Sequence, residues 1–150
     1  MDAIDRKILA ILQREGRISA TDLAERVGLS LSPCHRRLRA LEEAGVITDY
    51  RASVEPSKLG LGFAAIVYAT LREGSRENVL AFEKALLGVP EIVQAQRLFG
   101  EPDYMLHVVS KDLATFQRLY DDSLLALPHV MRLNSTLVMK SVIPSRPFPI

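Results

Sequence analysis

In the first third of the chain, apolar residues recur at the interval of a helix with one buried face. Ile4, Ile8, Ile11 and Leu12 form the first stripe, opened by Asp2 as N-cap and closed near Gly16. A second helix begins at Ser19 or Thr21, turns Leu23, Ala24 and Val27 inward and breaks at Gly28. Ser30 or Ser32 caps a third, Pro33 is tolerated in its first turn, and Cys34, Leu38 and Leu41 share one face before Gly45. The second and third helices are joined by only Gly28, Leu29 and Ser30, which is helix-turn-helix spacing.

Val46, Ile47, Tyr50 and Val54 suggest a short extended hairpin or wing. The stretch Glu55-Pro56-Ser57-Lys58, followed by Gly60 and Gly62, reads as a connector. From Phe63 the pattern predicts strand (63–72), helix (76–87, capped by Ser75), strand (91–99), strand (104–110), helix (112–127) and strand (130–143). This βαββαβ order, with a tight turn from Gly100 to Asp103, predicts a four-stranded antiparallel sheet with both helices on one face. The expected class is α+β. A winged-helix-like helix-turn-helix domain over 1–54 is followed by a linker (55–62), a ferredoxin-like domain (63–143) and an extended tail (144–150). The uncovered face of the sheet needs a partner, and Tyr68, Leu106 and Val138 are candidates to line that face or its opposite.

Composition narrows the function classes. A chain of 150 residues split into two small domains gives each a modest core, which favours self-association. With 48% hydrophobic and 25% charged residues it is a folding composition. The longest uncharged run, Leu59 to Leu71, is too short to span a bilayer and is interrupted by Gly60 and Gly62, so no membrane role is expected. The first residues lack a basic segment leading into an apolar stretch, and a cytoplasmic location is the expectation. One cysteine, Cys34, and three scattered histidines give no disulfide and no metal-ligand spacing; neither metal nor cofactor is expected.

A net charge of +1 says little about partners, but its distribution does. His35-Arg36-Arg37-Leu38-Arg39 is the densest basic cluster, with no acid until Glu42. On a helical wheel centred on Cys34, Leu38 and Leu41, the residues pointing away are Ser32, Arg36, Arg39 and Glu43, with His35 on one flank and Arg37 on the other. Arginine makes two parallel hydrogen bonds to guanine O6 and N7, and a helix fits the major groove. Ser32, His35, Arg36 and Arg39 are therefore base-edge candidates in double-stranded DNA. Arg37 is a candidate for phosphate, with the helix-start residues Ser19, Thr21 and Ser30 beside it. Cys34 faces the core and reads as a small buried hydrophobe, not a redox sensor.

Beyond periodicity, several segments resemble the Lrp/AsnC (feast/famine) family of regulators over nearly the whole chain. They are Asp5-Arg6-Lys7-Ile8-Leu9, Leu29-Ser30, Ser32 through Leu38, Leu41-Glu42, Gly45-Val46-Ile47, Gly100-Glu101-Pro102-Asp103-Tyr104, Leu127-Pro128 and Ser135 through Lys140. The resemblance implies a regulator that dimerises through its C-terminal sheets, often with dimers arranged into an octamer. It implies an amino acid or related metabolite bound where C-terminal domains of different dimers meet. Carried over residue by residue, it points to Gly100, Glu101, Asp103, Tyr104 and Thr136 for the effector, with Asp103 accepting from an α-ammonium group.

Two other readings compete. The siroheme decarboxylases look like the same architecture, and an enzyme of that kind would draw on His107 and Arg97. An effector-independent nucleoid-architectural protein would bind DNA through phosphate contacts alone. The basic third helix favours a sequence-reading regulator that is not an enzyme.

Overall fold

Asp2 starts the first helix by a reciprocal cap. Its carboxylate accepts the amides of Ile4 and Asp5, each at 2.9 Å, while Asp5 accepts the amide of Asp2 at 2.8 Å. Helix α1 then runs Ala3–Leu12 in the computed structural model, which describes residues 1–143 and 145–150. Helix α2 (Ala20–Val27) is capped by Ser19 and ends at Gly28, whose φ of 76° is a left-handed conformation that glycine adopts without strain. That turn redirects the chain into α3 (Leu31–Glu43), with Ser30 at its N-cap. Ile8, Leu23, Ala24, Val27, Cys34 and Leu41 close a small buried core among the three helices.

The chain divides into two compact units, Met1–Ser53 with Val142–Ile150, and Val54–Ser141. The second begins with a 3-10 turn (Pro56–Leu59) and then follows the expected order. Its elements are β1 (Phe63–Leu71), α4 (Arg76–Leu86), β2 (Ile92–Arg97), β3 (Tyr104–Ser110), α5 (Leu113–Leu119) with a π-helical turn at Tyr120–Leu124, and β4 (Val130–Leu137). The strands lie in the order β2-β3-β1-β4, and every pairing is antiparallel.

Alternation in the two central strands decides what each face carries. Ala65, Val67, Ala69, Tyr104, Leu106 and Val108 are buried on one side with Phe82 and Leu86 of α4 and Phe116 of α5. Ile66, Tyr68, Met105, His107 and Val109 alternate with them and are only half-buried. Of the residues considered for the open face, Tyr68 lies on it and Leu106 faces the helices.

Several local expectations are corrected. No strand forms between Val46 and Val54; this stretch is exposed apart from Ile47, and the Tyr50 hydroxyl is held by Glu42 at 2.8 Å. Burial of the phenol end and the neighbouring carboxylate push Tyr50 up to about 12. Strand β4 stops at Leu137, not 143: Leu137 faces Ala65, the last bond joins the Val138 amide to the Ala64 carbonyl, and β1, which begins at Phe63, offers nothing to pair with the residues up to 143. The tail is grouped with the N-terminal unit, where the Phe148 amide donates to Gln13 at 2.6 Å. Pro144, where the tail was expected to start, lies outside the described residues.

Asp103 has a structural task of its own. The β1–β3 ladder ends at Ala69 opposite Tyr104, and Asp103 adds one more rung: its amide donates to the Ala69 carbonyl at 3.0 Å and its carboxylate accepts the Leu71 amide at 2.7 Å. Asp103→Ala leaves the Leu71 amide unpaired, and the expected cost is about 1–3 kcal/mol of stability, read as a lower urea midpoint. An unchanged midpoint would show that the rung is dispensable.

Candidate nucleic-acid interface and ligand-facing turn

The buried stripe of α3 fixes what its opposite side presents. With Cys34 and Leu41 in the core, Leu31, Ser32, His35, Arg36 and Arg39 line one shallow concavity on the outer surface. This gathers all four base-edge candidates, Ser32, His35, Arg36 and Arg39, and all are exposed. Arg36 carries no ion pair among the described residues. Arg39 pairs with Glu43 one turn on, at 2.9 Å, but both ends are solvated and such a pair holds a side chain weakly. Burial pushes the Cys34 thiol up, the opposite of the shift that marks a reactive cysteine.

The flank of α3 differs from the expectation. The Arg37 guanidinium turns toward α1, where one of its nitrogens donates to Asp2 at 2.7 Å and to Asp5 at 2.8 Å. Its charge is balanced by two carboxylates of α1, one exposed and one sheltered, with which phosphate would compete. The Asp5 amide bonded to the Asp2 carboxylate, with Arg37 beside it, holds Asp2 below its usual range. The Ser19 hydroxyl caps α2 by accepting the Asp22 amide at 3.1 Å and also donates to the Asp22 carboxylate at 2.7 Å. Thr21 lies in the first turn of α2 and is exposed; Ser30 is exposed at the N-cap of α3 and makes no side-chain capping bond.

At the second site, the β2–β3 turn separates residues that the sequence grouped together. Gly100 holds a φ of 120°, open only to glycine at little cost, and Leu98 donates to the Asp103 carbonyl at 2.7 Å to close the turn. Tyr104 is buried on the helix side, where its hydroxyl donates to Glu83 at 3.0 Å and lies 3.3 Å from the Arg97 guanidinium. It is thus held away from the open face that bears Thr136, whose register partner is Ile66. Glu101 is exposed and pairs with Arg132 of β4 at 2.6 Å. Beside that pair, Tyr68, Thr70, Pro102, Arg132 and Asn134 line a cleft of about 180 Å³.

Arg132, Asn134 and Thr70 were missed by reading the turn alone. The available signal was period-two spacing: Arg132, Asn134 and Thr136 stand on the same side of β4. The two enzyme candidates do not converge. His107 is on the open face, while Arg97 reaches Glu83 of α4 on the other, at 2.6 Å. Among the described residues no cluster of His, Cys, Asp or Glu could hold a metal ion, and no helix is long and apolar enough to cross a membrane.

Comparison with known proteins gives this geometry a context. Residues 1–48 match the winged helix-turn-helix DNA-binding family, and residues 64–148 match the Lrp/AsnC ligand binding domain. The chain is 42% identical to the leucine-responsive regulatory protein of Rhizobium meliloti, covering 95% of this chain and 91% of that one. It is 38% identical to the proline dehydrogenase transcriptional activator of Rhodobacter capsulatus, covering 95% and 93%. Its fold matches a transcriptional regulator of Neisseria meningitidis solved as an L-Met complex, with a TM-score of 0.93 and 34% identity over 99% of this chain and 96% of that one.

Proposed function

The chain belongs to the Lrp/AsnC family, DNA-binding transcriptional regulators with a ligand-binding domain, and from that premise we propose that α3 reads an operator and the β2–β3 turn helps to sense an α-amino acid. The observation that carries the DNA reading is the convergence of Ser32, His35, Arg36 and Arg39 on one exposed face. Arg36, central and without an ion pair among the described residues, makes a bidentate base contact; Arg39 leaves its solvated partner Glu43 to do the same. Ser19, Thr21 and Ser30, at the mouths of α2 and α3, face the phosphate backbone. The protein acts in the cytoplasm, where its operators are.

The effector reading rests on opposite charges beside one cleft. Arg132 and Glu101 suit the carboxylate and ammonium of a zwitterion, with the polar groups of Thr70, Asn134 and Thr136 on adjoining positions and Gly100 giving close backbone approach. Asp103 keeps one carboxylate oxygen for an incoming donor, and Tyr104 supports the turn from behind. The relatives' names, which include leucine, proline dehydrogenase and L-Met, favour amino-acid metabolism as the source of the signal.

Assembly completes the proposal. The half-buried open face of Ile66, Tyr68, Met105 and Val109 pairs with its copy, and the fully exposed Phe99 on the β2–β3 turn is suited to further contacts between dimers. The His107 and Arg97 arrangement offers no support for the enzyme alternative.

Three outcomes test these parts. Arg36→Ala is expected to lose about 1–3 kcal/mol of preference for a duplex selected from a random pool over a scrambled one; equal loss on both would refute base reading. An amino acid that raises the melting temperature should lose its effect when its carboxylate is amidated, and again in Arg132→Ala; a persistent shift in both would remove Arg132 from the site. Met105→Asp should move the sedimenting species toward monomer, whereas an unaltered dimer would exclude the open face as the interface.

A further inference from the structure

Arg37 stands next to Arg36 on α3, yet one of its terminal nitrogens is engaged by two carboxylates of α1. Asp2 Oδ1 accepts the amides of Ile4 and Asp5, Asp5 Oδ2 accepts the amide of Asp2, and the two remaining oxygens both accept from Arg37 Nη1. All four carboxylate oxygens of the α1 capping box are therefore occupied, two of them by the recognition helix. The Asp5 end of this arrangement is sheltered: its side chain is 14% exposed, against 66% for Glu43 in the solvated pair with Arg39. Shelter strengthens and orients an ion pair that would otherwise be screened.

We propose that Arg37 is a positioning residue: its guanidinium clasps α3 to the N-terminal cap of α1 and so sets the pose in which Arg36 and Arg39 meet base edges. The proposal rests on α3 being the DNA-reading helix. Ile8 of α1 and Cys34 and Leu41 of α3 share the buried core, and such non-directional packing sets which face of α3 is hidden but not its last small increments of rotation about the helix axis. Rotation matters here. Taking the radius of a helix with its side chains as about 6 Å, a turn of about 10° moves the outer surface by about 1 Å. That exceeds the tolerance of paired hydrogen bonds to one base edge. A directional contact on the flank removes this freedom, and its two acids cancel the positive charge that a phosphate would seek.

The test uses the full chain and two duplexes, one selected from a random pool by the wild-type protein and one scrambled from it. Affinities are measured over a salt series, well below every variant's melting temperature, for Arg37→Met, Asp5→Asn, their double variant and Arg36→Ala. The clasp predicts that Arg37→Met lowers the ratio of selected to scrambled affinity by about tenfold. Scrambled binding and the slope of log K against log salt should stay as in wild type. Asp5→Asn, which removes a negative charge and cannot weaken DNA binding by electrostatics, should lower the ratio similarly, and the double variant should lose no more than either single.

A fall on both duplexes alike, with the salt slope reduced by about 0.9, would make Arg37 a phosphate ligand and overturn the clasp. So would an unchanged ratio accompanied only by a lower melting temperature. If Arg36→Ala loses preference while Arg37→Met does not, the clasp alone fails. If Arg36→Ala also keeps it, the reading of α3 fails and the clasp with it.

Discussion

Everything the N-terminal unit presents to solvent depends on one burial: Cys34 and Leu41 of α3 against Ile8 of α1 and Leu23, Ala24 and Val27 of α2. The core is small, so few other orientations of α3 would exclude as much apolar surface from water. Once those side chains are inside, helical geometry leaves Ser32, His35, Arg36 and Arg39 no place except the outer face. The left-handed turn at Gly28 serves this burial by bringing the second and third helices together within three residues. The chemistry that α3 displays is a consequence of packing, since the same rotation that hides the thiol of Cys34 displays the guanidinium of Arg36.

Local periodicity made most of this legible. Caps at Asp2, Ser19, Ser75 and Asp112 and stops at Gly28 and Gly45 are written in adjacent residues, and so is the inward stripe of each helix. Long-range partners are not written there. The wheel placed Arg37 at the flank of α3 but could not show that Asp2 and Asp5, some thirty residues earlier, would meet it. Strand ends follow the same rule. The apolar run after Leu137 reads as more strand, yet a strand extends only as far as its neighbour, and β1 supplies no residue beyond Phe63 to pair with it. The stretch from Val46 to Val54 has strand-like residues and no strand to pair with among the described residues.

The second site shows a different limit, because there the information was present and a motif drew attention from it. Neighbours in an extended chain face opposite ways, so Asp103 and Tyr104 could not both meet a ligand on one face. The structure gives Tyr104 to the helices, Asp103 to the ladder and Glu101 to Arg132. Arg132, Asn134 and Thr136 follow from the same alternation applied to β4. A turn motif identifies where the backbone bends; the strands on either side decide which of its side chains reach a ligand.

These observations also bear on how an effector could change DNA binding. A ligand shifts an equilibrium only by the difference in its affinity for two states. Within one chain, the backbone passes between the two units twice, once in the exposed stretch 48–55, which has neither helix nor strand, and again between Ser141 and Val142. The cleft at Arg132 sits on the open side of the sheet, beside the half-buried apolar residues proposed to pair with a second copy. On the proposed reading, an effector there would gain its leverage by favouring one arrangement of copies over another, and the spacing between their α3 helices would then decide which DNA they hold together.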